Sequence, residues 1–438
     1  MADPLALLRG LSPRTRALLA VNAVNSFGGG LVFPFLWIYL TQVRGLASWV
    51  PAVTLAVQAG TAVLGGLGWG ALLDRLAHRQ VVPLVMTVAG LGTGLYAFAA
   101  GPATALLAAV VYGLGISGVG TVLRAMYAGV ASARERGRAY SADFAVFNAM
   151  TGLGVIVGGA VAEWGPASAG VRYSALYLVD GVTFLIAGAA LFLLLPRATR
   201  TAGTAPAEAT AGAAPAVRGG YRPVLRDRRI AVALGMLTVC SLVSYGQLRS
   251  GLPGYLTAGG ALTAGGLSGT FAVNIVIAVA VQFAVAERLQ QVRRSTVLAA
   301  TGLIWAVAWA FVLVAGQRHG AVALTAAIVG VVLLSVGEAL AFPVATGLLN
   351  DLAGESVRGR VNALISVSIS GGSVVGPLLA GLALPWAKGV PFVAGIIAAC
   401  LAVAVIGRGL RSVLPLAADL PPAETHPETE PEPAAVAQ

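Results

Sequence analysis

The chain has 438 residues, of which 58% are hydrophobic and only 10% are charged, with a formal net charge of +11. A soluble domain carries about 25% charged residues, so this composition excludes an ordinary soluble protein and predicts one built mostly for lipid. The basic excess does not indicate nucleic-acid binding, because the arginines stand in short loops without interleaved aromatic residues.

Runs of about 20 mostly apolar residues, the length that crosses a bilayer, follow one another along the whole chain. They predict an all-α membrane protein with twelve transmembrane helices. We expect the spans at 17–40, 50–73, 81–100, 103–129, 139–162, 173–195, 229–257, 264–286, 295–315, 321–350, 361–384 and 389–410.

The charges between the spans predict an orientation. Most of the 28 basic residues fall on one side of the membrane if the first residue is cytoplasmic, as the positive-inside rule requires. Both termini are therefore expected in the cytoplasm. The Ala-, Gly- and Arg-rich composition suggests a G+C-rich genome and hence a bacterial cell membrane.

The sequence repeats itself in two halves. Arg136-Gly137-Arg138 recurs as Arg358-Gly359-Arg360, and glycines follow each copy at the same spacing. A repeat containing six spans predicts two six-helix halves in the same orientation, related by a pseudo-two-fold axis along the membrane normal. We expect the halves at 1–196 and 229–411, a cytoplasmic linker at 197–228, and a disordered acidic tail at 412–438.

A charged stretch, GALLDRLAHR at 70–79, interrupts two long uncharged runs between spans 2 and 3. Its Gly70, Asp74, Arg75 and Arg79 resemble the loop 2–3 motif of the major facilitator superfamily, although Ala77 stands where a second glycine is usual. The resemblance extends over about residues 15–411 and implies that fold. It also implies a conformational latch, in which Asp74 faces the start of span 11. The alternative is that these charges only orient the spans.

Glycines in spans 5 and 11 resemble a pattern of the superfamily's drug:proton antiporters. Met150 and Val155 depart from that pattern, and the arginine that many antiporters carry in span 4 is absent from 103–123. Small residues at these intervals also serve close helix packing without antiport. The helix-packing positions are Gly154, Gly158, Gly159, Gly372, Gly376, Pro377 and Gly381.

Ionisable residues within spans are costly in lipid and are functional candidates. The candidates for a proton or substrate site are Glu338, Arg249, Asp143 and Arg124. Glu338 could equally be a structural partner for an arginine, and Asp143 could belong to a charge cluster with Glu135. Arg249 and Arg124 could snorkel, and Arg124 could also pair within the latch region. Asp180 lies in span 6, which is normally peripheral in the superfamily, and is not among these candidates.

In the superfamily, spans 1, 4, 7 and 10 line the central cavity. Uncharged polar residues on those spans are candidate substrate contacts, although helix–helix hydrogen bonds explain each of them equally well. They are Asn22, Asn25, Tyr112, Tyr245 and Gln247.

The resulting prediction is a secondary active transporter that exports a small amphipathic compound by alternating access, driven by protons. A metabolite or sugar importer working by symport, and a transport-inactive sensor or partner-binding homologue, are the alternatives. Three histidines in loops and tail, without metal or nucleophile motifs, predict no enzyme, no metal and no cofactor. The expected partners are the bilayer, protons and a small-molecule substrate, with no nucleic acid, and the expected state is a monomer.

Overall fold

The computed structural model describes residues 11–76, 78–132, 135–164, 167–194, 221–289, 292–354 and 357–420. Within those ranges the chain forms helices and no strand. The long helices are α1 Pro13–Val32, α2 Trp49–Arg75, α3 His78–Tyr96, α4 Pro102–Val130, α5 Arg136–Trp164, α6 Ala169–Leu194, α7 Arg228–Val243, α8 Ala264–Leu289, α9 Arg294–Gly316, α10 Gly320–Leu352, α11 Arg358–Ala383 and α12 Val390–Val413.

Short helical segments extend or flank several of these helices. Leu36–Ile38 and the π-turn Tyr39–Val43 continue α1, and Tyr245–Leu248 and Gly251–Ala258 continue α7. The others are Arg222–Arg226, the 3₁₀ turn Trp386–Gly389 and Leu416–Asp419.

Ten helices in the described ranges are long and apolar enough to cross a membrane, or eleven if α1 and its bent continuation form one span. The helix outside this set is α3, whose 19 residues begin with the polar turn His78-Arg79-Gln80. The predicted all-helical membrane fold is confirmed. Ten or eleven of the twelve predicted spans meet the length and composition test.

The helices pack as two bundles with the same internal arrangement. In the first half α1 packs against α5, α2 against α4, and α3 against α4 and α6. In the second half α7 packs against α11, α8 against α10, and α9 against α10 and α12. Each pairing therefore recurs six helices later, as the sequence repeat predicts.

The two halves meet along α2 with α11 and α5 with α8. We call the end of the bundle that carries the first turn of α1 and the last turn of α12 the terminal face, and the opposite end the far face. The far-face contacts join Glu163 to Gly265 and Gly381 to Ala52. Near the terminal face, a Cβ added at Gly70 would meet no heavy atom within 4 Å. The halves are thus closed together at the far face.

Two helices are broken where they approach the space between the halves. In α7 the backbone leaves the helical region at Ser244 and again at Ser250. The freed carbonyls are partly satisfied, because Gln247 donates to Leu242 O at 3.0 Å and Ser250 donates to Gly246 O at 2.5 Å. Between α1 and its continuation the axis bends by 42°. These breaks turn side chains of both halves toward one another.

The predicted tail is structured at its start. Helix α12 runs to Val413, and Leu416–Asp419 forms a further turn. The Asp419 carboxylate is buried and accepts hydrogen bonds from the Ser295 N–H at 2.8 Å and hydroxyl at 2.9 Å, at the start of α9. The expectation of disorder from 412 is therefore wrong as far as Asp419. The rest of the tail, and linker residues 197–220, lie outside the described residues.

Candidate functional site

A cavity of about 740 Å³ lies between the halves. Its volume suits a small organic molecule, since ligand pockets are commonly about 300–1,000 Å³. Glu338 and Arg249 are the charged residues among those that line it. Aromatic and amide side chains form much of the remaining wall: Phe33, Phe144, Phe147, Tyr245, Phe342, Gln58, Asn148 and Asn274.

Glu338 lies on the cavity face of α10. Its Oε1 atom is buried and accepts no hydrogen bond from the described residues. The buried Ser244 hydroxyl, at the break in α7, is close enough to interact with the carboxyl group, although no bond of standard geometry joins them. Beside it, Gly337 leaves room for the indole of Trp305. A carboxyl group so weakly satisfied is available to a proton or to a polar ligand group.

An aromatic wall stands next to this carboxyl group. The rings of Tyr245 and Phe342 stack with centroids 4.3 Å apart and planes 16° apart. Pro343 and Pro377, on the cavity walls of α10 and α11, have no N–H. The carbonyls of Ala339 and Ser373 therefore lack their usual intrahelical donors. The wall can hold a planar apolar group and offers acceptors at its edge.

Arg249 reaches from the second half into the first. Its guanidinium lies 4.7 Å from the centroid of the Phe33 ring, within the range of a cation–π interaction. It also lines a small adjoining cavity with Tyr96, Tyr112 and Tyr177 of the first half. Arg249 is therefore an interhalf contact as well as a wall of the main cavity, rather than a side chain that snorkels to the membrane surface.

Of the predicted substrate contacts, Tyr245 lines the main cavity and Tyr112 lines the small one. Asn22 is buried and donates to Asp143 Oδ1 at 2.6 Å. Gln247 is 1% exposed and bonded to the broken backbone of α7. Asn25 is absent from both linings, and its Oδ1 is buried without a hydrogen-bond partner in the described chain. Asn22 and Gln247 thus serve helix contacts in this conformation.

Asp143 is absent from the linings of the main and the small cavity. Its Oδ1 accepts hydrogen bonds from Asn22 and from Tyr127, the latter at 2.7 Å. Glu135 instead accepts from the Ser12 N–H at 2.9 Å. The donors to Asp143 from the described residues are thus neutral side chains of α1 and α4, and its charge cluster with Glu135 stays a prediction.

The helices that line the main cavity also differ from expectation. Helices α7 and α10 and the end of α1 contribute as predicted, while α4 contributes Tyr112 only to the small cavity. Helices α2, α5, α8 and α11 supply the remaining lining residues. The halves contact each other through these four helices at the far face. The same helices therefore form both the closed far face and the side walls of the cavity.

Of the predicted latch residues, Arg79 contacts its own half. Arg79 lies over the Phe192 ring at 4.3 Å, and Arg75 is exposed. The side chains of Asp74 and Arg124 lie outside the described residues. The latch and the role of Arg124 stay predictions.

The repeated glycines occupy two kinds of helix contact. A Cβ added at Gly154 or Gly158 would collide with the backbone of α1, and one at Gly372 or Gly376 with that of α7. These contacts lie within a half, and Pro377, next to Gly376, is also buried. Gly159 and Gly381 differ, because an added Cβ would collide with Ser268 or Ala52 of the other half.

A carboxylate also closes the far face. Glu163, at the end of α5, accepts hydrogen bonds from the Gly265 N–H at 2.6 Å and the Thr263 hydroxyl at 3.1 Å. Gly265 is in the first turn of α8, where free N–H groups favour negative charge. One half thus caps a helix of the other half.

We expect Glu163→Gln to weaken closure of the far face, because the neutral amide binds the helix terminus less strongly. A loss of roughly 1 kcal/mol is typical of a partly exposed site, or about a fivefold shift toward separated halves. The measurement is the distance between spin labels on Ser168→Cys and Arg318→Cys, exposed far-face positions of the two halves. Both native cysteines are buried, so labelling is directed to the introduced sites.

Glu135→Gln is the matched control, since Glu135 also accepts from a backbone N–H but within its own half. Its far-face distance should equal that of the parent. Equal distances in the Glu163→Gln protein would show that this cap does not hold the halves together.

The fold and cavity define a multi-pass membrane protein in which two similar bundles enclose a solute-sized space. The family model of the Major Facilitator Superfamily matches residues 18–285 and 270–436. The chain belongs to this superfamily of transporters.

Similar proteins agree with this assignment. An uncharacterized MFS-type transporter of Bacillus subtilis (strain 168), YttB, is 25% identical over 382 residues, covering 84% of this chain and 88% of the relative. The crystal structure of the nucleoside transporter NupG has a TM-score of 0.74 at 10% identity, covering 92% of this chain and 99% of NupG. A bacterial homologue of the human lysosomal transporter Spinster, in an inward-facing and unoccupied conformation, has a TM-score of 0.67 at 13% identity, with 92% and 97% covered.

Proposed function

We propose that the protein is a proton-coupled exporter of small amphipathic compounds that carry an aromatic group and a positive charge. The observation that carries the proposal is Glu338, with its buried and unsatisfied Oε1, in a cavity walled by aromatic side chains. The stack of Tyr245 on Phe342 beside it would receive the apolar part of the compound. The carboxylate would bind the cation, or a proton in its place.

The direction follows from the predicted orientation. With the termini in the cytoplasm, the terminal face is cytoplasmic and the closed far face is external. The described conformation would then load substrate from the cytoplasm or from the inner leaflet. In the rocking motion the latch Gly70–Asp74–Arg75–Arg79 would engage the start of α11 once the terminal face closes.

Proton coupling follows from competition for one carboxylate. A cationic compound and a proton cannot both neutralise Glu338, so binding of one favours release of the other. A proton that enters from the external side would displace the compound there, and the proton would leave to the cytoplasm after the return movement. Antiport then requires one carboxylate and two alternating faces.

A metabolite importer is the second candidate. Amide side chains of three helices line the same cavity: Gln58 of α2, Asn148 of α5 and Asn274 of α8. Amides beside stacked aromatic rings would also suit a nucleobase, and NupG is a nucleoside transporter of similar fold. The likeness at 10% identity concerns the fold alone, so the amides are what favour this candidate.

Flux in proteoliposomes separates the candidates. With a proton gradient imposed, the purified protein should accumulate a fluorescent aromatic cation, and a protonophore should abolish that accumulation. Saturable uptake of a labelled nucleoside, with dye flux equal to that of protein-free vesicles, would favour the importer. No flux of either compound would favour a transport-inactive homologue.

A further inference from the structure

Asp180 is a buried carboxylate that the proposed cycle does not use. It lies in the middle of α6 with 0% of its surface exposed. The Thr93 hydroxyl of α3 donates to Oδ2 at 2.8 Å, while Oδ1 is buried and accepts no hydrogen bond from the described residues. A charged carboxylate in such a place is costly unless a positive charge compensates it.

The described neighbours of Asp180 come from several helices. From α1 the neighbour is Gly28, whose added Cβ would lie 2.9 Å from Oδ1. Helix α4 contributes Tyr112 and α6 itself contributes Thr183, whose hydroxyl donates to the Asp180 carbonyl at 2.7 Å. Arg249, which belongs to the second half, brings a positive charge to the small cavity that Thr93 and Tyr112 also line.

Arg249 reaches this region because α7 is broken on both sides of it, at Ser244 and Ser250. Its guanidinium lies over the Phe33 ring, and Arg249 and Tyr112 both line the small cavity. Arg249 and Thr93 also line the same small cavity. A path of polar groups therefore connects the main cavity to the buried carboxylate, and the two charges interact without direct ion-pair contact.

We propose that Asp180 is a second proton-binding site, in the first half, whose occupancy is controlled by Arg249 of the second half. The inference rests on the proposed function only in requiring that the halves separate at the far face. That separation moves Arg249 away with α7, so the carboxylate loses its compensating charge and takes a proton from external water. Closure returns Arg249, which favours the charged carboxylate, and the proton leaves through the small cavity toward the main one.

Protonation of Asp180 and protonation of Glu338 would depend on different events. Glu338 lines the main cavity, where a compound can compete with the proton. Asp180 has no surface exposed to a compound, so its proton follows the position of the halves alone. Loss of the carboxylate charge and loss of the arginine charge should therefore have the same conformational effect.

The test uses the spin-label distance between Ser168→Cys and Arg318→Cys, without substrate and in a Glu338→Gln background. In that background the distance should still lengthen from alkaline to acidic buffer. Adding Asp180→Asn should shift the population about fivefold or more toward the longer distance and remove its dependence on pH. Arg249→Gln should produce the same shift, and the two substitutions together should add nothing further.

Arg44→Gln is the matched control. Arg44 is a partly buried arginine whose bonds, to Tyr39 at 2.9 Å and Ala97 O at 2.7 Å, stay within the first half. It should leave the distance and its pH dependence unchanged. An unchanged pH response with Asp180→Asn, or shifts of Asp180→Asn and Arg249→Gln that add, would overturn the proposal. Because the measurement is a distance, it tests the role of Asp180 even if the flux assay finds no proton-coupled export.

Discussion

Glu338→Gln is expected to reduce proton-driven accumulation of an aromatic cation to the level of protein-free vesicles. Glutamine keeps the shape of the side chain but can neither bind nor release a proton. Exchange of labelled for unlabelled dye should persist, since the stacked rings of Tyr245 and Phe342 still form the apolar wall. The measurement compares uphill accumulation with exchange in the same proteoliposomes.

Asp351→Asn is the control for this prediction. Asp351 lies on the same helix, is about half exposed, and pairs with Arg294 at 2.6 Å. Exposed ion pairs contribute at most about 1 kcal/mol, so uphill accumulation should remain close to that of the parent. Equal uphill accumulation by Glu338→Gln would assign the proton to another group and leave Glu338 a structural role.

The helical architecture could be predicted from the sequence because lipid imposes it. Backbone polar groups in a bilayer must be satisfied within the segment, so each apolar run of sufficient length predicts a helix. The recurrence of Arg136-Gly137-Arg138 as Arg358-Gly359-Arg360 then predicts two similar bundles, and α5 and α11 both begin in these motifs. The helical pairings follow the same repeat.

The cavity wall was harder to predict because it depends on contacts between the halves. Glu338, Arg249 and Tyr245 could be found as polar residues on expected lining helices. Gln58, Asn148 and Asn274 lie on helices that were not expected to line the cavity. The signal for them in the sequence is that each is an amide within an apolar span. Gln247 is the reverse case: it lies on an expected lining helix, but the breaks in α7 create a backbone carbonyl to which its side chain donates in this conformation.

The proposed role of Asp180 was harder still to predict from the sequence. Its helix is peripheral in the superfamily, and nothing near it in sequence carries a positive charge. Its compensating group, Arg249, comes from the other half through a helix break. Spacing within one span cannot reveal such a pair, since it is created by the packing of the two bundles.

Gly381→Leu is expected to prevent closure of the far face and to stop transport. In the described conformation even a Cβ at this position would collide with Ala52 and lie 3.2 Å from the Ser48 carbonyl oxygen. Forcing bulk into a packed contact costs about 1–3 kcal/mol, equivalent to roughly a 5- to 150-fold population shift. The spin-label distance across the far face should lengthen, and dye accumulation should fall in proportion.

The repeat supplies both a second variant and a control for folding. Gly159→Leu, at the corresponding position of the first half, should act in the same way, because it meets Ser268 of the other half. Gly395→Leu is the neutral control, since an added Cβ on that exposed residue of α12 meets nothing within 4 Å. A parent-like distance with Gly381→Leu would show that closure tolerates separation of α2 and α11.

Glycines within a half should behave differently under the same change. Gly154 and Gly376 pack against α1 and α7 of their own bundles, and these contacts persist if each bundle moves as a rigid body. No conformation relieves a leucine at either position, so both variants should lose thermal stability and yield. Gly381→Leu and Gly159→Leu should instead remain folded, because the conformation with a separated far face accommodates them. The contrast between lost stability and lost closure distinguishes rocking of intact halves from local bending of helices.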